Sequence, residues 1–192
     1  RTRHAHRPAG RRPWGLVLAG LVVALGCSEK PRVAYIWEMT PASALPRRAA
    51  LRALAARSMD DVVAVGTLLP EHLVKYEPIA LAKTPQGWVQ EEVPLRPGES
   101  MLLSGAAPAE DGSEWACGVS IANDDDPATA TPLLYRRLHG TWESIDLTSL
   151  PGLAGTTFTA LACTGAGAAF ELRVVGTRLG QEGVCLQFRA GT

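Results

Sequence analysis

The chemistry open to this chain of 192 residues rests on a few titratable side chains set among turn-forming residues. His72, flanked by Glu71 and Lys75, has the make-up of an acid–base group. The run Asn123-Asp124-Asp125-Asp126-Pro127 offers consecutive carboxylates, hard oxygen donors of the kind that hold a divalent cation. Arg47, Arg48 and Arg96 lie in loops, with Glu99 near Arg96, and are the residues that a site for an acidic sugar would draw on. Each has a plainer reading. A lone histidine without a partner at ligand spacing reads as a surface residue. The aspartates lack the alternate spacing and the central glycine of a calcium loop, and Pro127 marks their segment as a solvated turn. Neither a metal nor a cofactor is expected.

Catalytic motifs are missing as well. The chain contains no Gly-x-Ser-x-Gly, His-Glu-x-x-His, phosphate-binding P-loop or Gly-x-Gly-x-x-Gly. Gly165-Ala-Gly167-Ala-Ala resembles a phosphate loop only superficially, since no helix follows to aim its amides. A glycosidase would need paired carboxylates or a tyrosine nucleophile, with an arginine cluster for an acidic sugar. Arg47, Arg48, Arg96 and Glu99 are the residues available for such a set, and spacing alone does not bring them together.

The elements that must position these residues begin after residue 26. Arg1, Arg3, Arg7, Arg11 and Arg12 precede an uncharged stretch whose core, Trp14 to Gly26, is 13 residues long. A spanning helix needs about 20, so this is the layout of an export signal, and His4 and His6 are discarded with it. Val23-Ala24-Leu25-Gly26-Cys27-Ser28 resembles the lipobox of bacterial lipoproteins, although its Ala24-Leu25 departs from the commonest order. The resemblance implies cleavage before Cys27, acylation of its sulfur, stable anchoring by two or more chains, and sorting to the outer membrane, since Ser28 is not aspartate.

Without the signal, 14 basic residues face 19 acidic ones, so residues 27–192 carry a net charge near −5. No cluster of Lys and Arg is present, and nucleic acid is not an expected partner. The segment is long enough for one domain with its own core. Its cysteines, Cys117, Cys163 and Cys185, match no zinc spacing. They are open to two readings: one bridged pair in an oxidising compartment, or three small buried hydrophobes.

Self-similarity is the strongest signal. Trp37, Trp88 and Trp142 lie 51 and 54 residues apart. Small apolar runs recur at 51–56, 101–107 and 158–163, and each precedes a segment ending in glycine, at Gly66, Gly118 and Gly176. Further apolar runs start at Pro78, Pro132 and Gly183. Four short apolar segments per unit, separated by Gly and Pro, predict four-stranded antiparallel blades, with units of about 37–87, 88–141 and 142–192 in a domain over 31–192. The segment Pro46–Arg57 is rich in helix formers, yet its aligned partners contain Gly105, Pro108 and several threonines. It is therefore expected to be an innermost strand of small side chains, tertiary context overriding propensity.

In this pattern the chain resembles bacterial β-propellers of the Asp-box and photosystem-assembly-factor type, the match running over about residues 31–192. Gly140-Thr-Trp142 and Gly87-Trp88 stand where the Asp-box turn would be, without its aspartate. The resemblance implies an all-β propeller whose Gly-Thr-Trp turns join third and fourth strands and whose other loops share the opposite face. Rings close with 4 to 8 blades, so about three units imply an incomplete ring, a fragment of a larger one. Loops on a rigid scaffold are the usual place for binding residues. The expectation is a non-catalytic, lipid-anchored scaffold that binds a protein or glycan through His72, Lys75, Arg96, Asp124, Asp125 and Asp126. The rivals are a fragment of a sialidase-like glycosidase and a structural envelope protein.

Overall fold

The computed structural model describes residues 48–69 and 75–190. Cys27, Trp37, Arg47, Glu71, His72 and the export signal lie outside the described residues. The described part is all-β, with eleven strands in three antiparallel sheets. Sheet 1 holds β1 (Ala49–Ala56), β2 (Val62–Leu68), β3 (Glu77–Thr84) and β4 (Gly87–Glu91) in that order. Sheet 2 repeats it with β5 (Ser100–Pro108), β6 (Glu114–Ile121), β7 (Ala130–Leu138) and β8 (Thr141–Ser144). Sheet 3 holds β9 (Thr156–Thr164), β10 (Glu171–Arg178) and β11 (Glu182–Arg189). Each strand pairs with the next in sequence, as short connections dictate.

The helix-forming run at the start is strand β1, as the aligned repeats require. Its alanines suit the site, because the first strands of neighbouring sheets approach closely. A Cβ on Gly105 of β5 would lie 2.9 Å from the Cα of Ala160 in β9.

The three repeat glycines mark a shared irregularity. Gly66 pairs with Leu51, Gly118 with Leu103 and Gly176 with Phe158, and in each first strand the following residue is skipped in the pairing. The extra residue makes a β-bulge that pushes a carbonyl over the second strand. A Cβ would sit 2.0 Å from the Ala50 oxygen at Gly66, 1.9 Å from the Leu102 oxygen at Gly118, and 2.0 Å from the Thr157 oxygen at Gly176. Only glycine fits there. The strands also run past these glycines by two or three residues, so they are mid-strand positions and not strand ends.

Two apolar layers join the sheets. Val63, Val65 and Ala80 of sheet 1 pack with Met101, Leu103, Leu133 and Tyr135 of sheet 2. Cys117 and Leu134 on the other face of sheet 2 pack with Phe158, Leu172 and Val174 of sheet 3. At the second junction the Trp115 ring stacks on Phe170, centroids 5.6 Å apart, with the Arg136 guanidinium 5.8 Å from the indole centroid.

Trp88 and Trp142 hold matching register positions, opposite Lys83 and Arg137, at the start of the last strand of their sheets. They close a sheet where units counted from Trp to Trp would open one. Their surroundings differ. Trp142 is buried in the layer between sheets 1 and 2, whereas Trp88 is half-buried on the other face of sheet 1, against Ala64, Ile79 and Leu81. The hairpin before Trp142 turns through His139 (φ 51°) and Gly140 (φ 80°), both left-handed, which matches the twist of the paired strands.

Candidate functional site

Residues 75–76 before β3 and the β6–β7 loop lie at one end of the sheets, together with the connections 92–99 and 145–155 between sheets. Backbone bonds tie them together: Met101 N donates to Tyr76 O (2.8 Å) and Gly155 N to Ala130 O (2.7 Å). Buried Tyr135 anchors the 92–99 connection by donating its hydroxyl to Pro94 O at 2.9 Å. Burial pushes that phenol up to about 12, so it stays a donor at neutral pH.

Three of the residues expected at the site meet there. Lys75 Nζ lies 3.2 Å from Asp124 Oδ2, and Ser100, buried at the start of β5, donates to the same oxygen at 3.3 Å. The Lys75 ammonium and the Ser100 hydroxyl hold the Asp124 carboxyl below the ordinary carboxylate value. The pair is exposed enough to contribute little to stability, and its effect is to fix two loops that are distant in sequence. Arg96 Nη1 donates to Thr131 Oγ1 at 2.9 Å and lies 3.9 Å from Glu99 Oε2, the oxygen that also accepts from buried Ser120.

Arg96 forms the wall between two depressions. One, of about 370 Å³, has an apolar floor of Leu147 and Leu153, with half-exposed Leu150 at its rim and Thr131 and Thr148 as hydroxyls. The other, of about 290 Å³, is bounded by Lys75, Tyr76, Glu99 and Met101. Fixed donors beside an apolar floor suit a group that carries both an anionic or hydroxyl-rich part and an apolar part.

Asp125 and Asp126 are not drawn in. Asp126 caps the short 3-10 turn Pro127–Thr129, accepting from Ala128 N at 2.9 Å, and Asp125 N donates to Asn123 Oδ1 at 3.2 Å. Their loop satisfies itself, as Asx-type turns do. Among the described residues no three His, Cys, Asp or Glu side chains gather as metal ligands. Arg48 sits at the start of β1 in a left-handed conformation (φ 66°). Cys117, Cys163 and Cys185 are unpaired, and burial raises the Cys117 and Cys163 thiols to about 12, which leaves both inert.

A second polar constellation lies between sheets 1 and 2. Arg137 meets Glu91 through two bonds of 2.6 and 2.7 Å and Glu114 through one of 3.0 Å. Trp142 Nε1 donates to Glu91 Oε2 at 2.9 Å, and Arg57 Nη2 lies 2.5 Å from Glu114 Oε1. Glu114 is only 2% exposed. The Glu91 carboxylate raises the already high Arg137 value further, against the effect of burial, with Glu114 adding to it. A cavity of about 510 Å³ opens beside Glu91, Glu92, Gly140 and Trp142. Glu91 and Glu114 are each bonded on both oxygens, so this cluster joins sheets 1 and 2.

No protein-family model matches the chain, and no curated protein matches it. Among solved structures, the chain is similar to a mutant of the Bombyx mori GH32 β-fructofuranosidase in complex with sucrose, at 12% identity and a TM-score of 0.42. The similarity covers 73% of this chain and 33% of that one, so the chain spans about a third of the length of that enzyme.

Serines 100 and 120, Thr131 and Leu150 were not legible as site residues. Serines and threonines at strand ends are common, and only the fold sets these beside Arg96. Lys75, Arg96 and Asp124 could be singled out because charged residues in long loops are few in this chain.

Proposed function

We propose that this is an exported, lipid-anchored scaffold of propeller type that binds a protein or a glycan through the loop end of its sheets. The observation that carries the reading is Arg96, held between Thr131 and Glu99 at the junction of two depressions, one with a leucine floor. Such a site recognises a carboxylate or a hydroxyl-rich ring with an apolar face, as an acidic sugar or an acidic peptide side chain beside a hydrophobic one would present. Preformed donors avoid part of the ordering cost of binding, which favours recognition by a rigid surface.

Saturation-transfer NMR against pools of acidic oligosaccharides and acidic peptides tests the binding reading. Wild-type protein is expected to give saturable signals for members of one pool. Arg96→Gln is expected to weaken them at least about tenfold, as loss of a charged hydrogen bond does. Unchanged binding by Arg96→Gln and by Leu150→Asp would place the ligand elsewhere.

The anchor is inferred from the lipobox-like Gly26-Cys27 alone. Cys27→Ala is expected to abolish labelling by a radiolabelled fatty acid and to move the protein from the detergent phase to the aqueous phase. Undiminished labelling of Cys27→Ala would refute the lipidation.

A further inference from the structure

Three large apolar side chains stand exposed around Arg96 at the loop end: Tyr76 at 43%, Leu95 at 53% and Leu150 at 36%. Tyr76 and Leu95, with Met101, line the depression on one side of Arg96, and Leu147, Leu150 and Leu153 line the one on the other. Arg96 itself is held in place but not used up. Its Nη1 donates to Thr131, and its Nε and Nη2 have no hydrogen-bond partner among the described residues. Those two donors form the edge of a guanidinium that meets a carboxylate through two parallel bonds. Glu99 and Asp146 both lie near enough to feel the Arg96 charge. The site therefore matches one carboxylate and repels a run of them.

Two apolar depressions with a cation between them fix an order of ligand groups: apolar, anionic, apolar. An extended peptide presents that order on one face when the three residues alternate with others, since side chains at i, i+2 and i+4 point the same way, roughly 7 Å apart. A glycan suits the lining less well. A sugar ring would bring several hydroxyls against three leucines, with Thr148 and Thr131 as hydroxyl partners, the latter already accepting from Arg96. Hydroxyls buried without partners oppose binding.

We propose that the loop end recognises an extended segment of a partner protein, of the pattern apolar-x-(Asp or Glu)-x-apolar. The acidic side chain meets the Nε and Nη2 edge of Arg96, one apolar side chain packs on the leucines, and the other packs on Tyr76 and Leu95. The apolar anchors supply affinity, and the single carboxylate sets the register. The inference rests on the binding reading given above and narrows its ligand to a peptide.

The test uses the full chain and a fluorescent peptide containing Leu-Thr-Glu-Thr-Leu, whose anisotropy is expected to saturate. Two variants are each expected to bind at least about tenfold more weakly: Leu-Thr-Gln-Thr-Leu, and Leu-Glu-Thr-Thr-Leu, which keeps the composition but turns the carboxylate to the opposite face. Arg96→Gln is expected to bind the Glu and Gln peptides alike, which general damage to the fold would not produce. Leu150→Asp, a change at the rim, is expected to keep the wild-type urea midpoint and to lose all three peptides. Absence of saturable binding, equal binding of the shifted peptide, or undiminished binding by Leu150→Asp would each overturn the proposal. A uronic-acid disaccharide followed by saturation-transfer NMR separates that failure from failure of the wider reading. If it binds and Arg96→Gln weakens it while no peptide binds, the loop end is a glycan site and the peptide pattern alone falls. If neither ligand binds, the loop-end reading falls with it.

Discussion

Gly118→Ala is expected to destabilise the protein by about 3 kcal/mol or more, the upper range for forcing an extra carbon into a packed interior. The new Cβ would lie 1.9 Å from the Leu102 oxygen and 2.9 Å from the Leu103 Cα. Both are backbone atoms of the bulged strand, so no side chain can swing away to make room. Relief requires opening the bulge, which would shift β5 against both neighbouring sheets. Gly183→Ala is the control. Nothing lies within 4 Å of the Cβ built there, and its φ is not left-handed. Replacing a strand glycine in open space is expected to be neutral or to stabilise by about 0.5 kcal/mol. Urea unfolding of both variants checks the pair. Equal midpoints would show that the bulge does not need its glycine.

Arg137→Ala is expected to cost about 3–5 kcal/mol, the effect of removing one member of a buried ionic cluster. The side chains of Arg137, Glu91 and Glu114 are 15%, 14% and 3% exposed. Without the guanidinium, Glu91 keeps only the Trp142 indole donor and Glu114 only Arg57 among the bonds described. Two carboxylates would then face each other at the junction of sheets 1 and 2 with one cation fewer. A double-mutant cycle with Glu91→Gln separates the pair from lost packing, and the double variant is expected to recover part of the loss. A cost below about 1 kcal/mol would mean that the cluster is solvated like a surface pair.

These two sites show what a sequence carries and what it does not. The glycine is visible in the chain because it answers a backbone demand that recurs at the same place in each repeat. Gly66, Gly118 and Gly176 meet the same carbonyl of the same bulge, and the spacing of the unit preserves them. Strand β1 is legible for the same reason and against its own propensity. Arg137 leaves no such mark. Its partners lie 46 and 23 residues away on other strands, and a charged residue at the end of an apolar run looks like any solvated one until the sheets are stacked.

The candidate site divides in the same way. Lys75 and Asp124, 49 residues apart, are joined by the stacking of two loops, and Asp125 and Asp126 look identical to Asp124 in sequence. What separates them is local. Asp126 is used in its own cap, whereas Asp124 alone is reached by Lys75 and Ser100. The matching tryptophans give a further case: register makes Trp88 and Trp142 equivalent, and burial makes them unlike, because Trp142 packs into the layer shared with sheet 1 whereas Trp88 packs on residues of its own sheet.

The central claim is that ligands bind at the loop end, around Arg96. Hydrogen–deuterium exchange of the wild-type protein, with and without whichever acidic oligosaccharide or peptide gives the strongest NMR signal, tests it most directly. The account predicts slowed exchange in residues 95–101, 130–132 and 147–155, with the turns at 109–113, 139–141 and 165–169 unchanged. Protection confined to those turns at the other end of the sheets, or spread evenly over both ends, would contradict it.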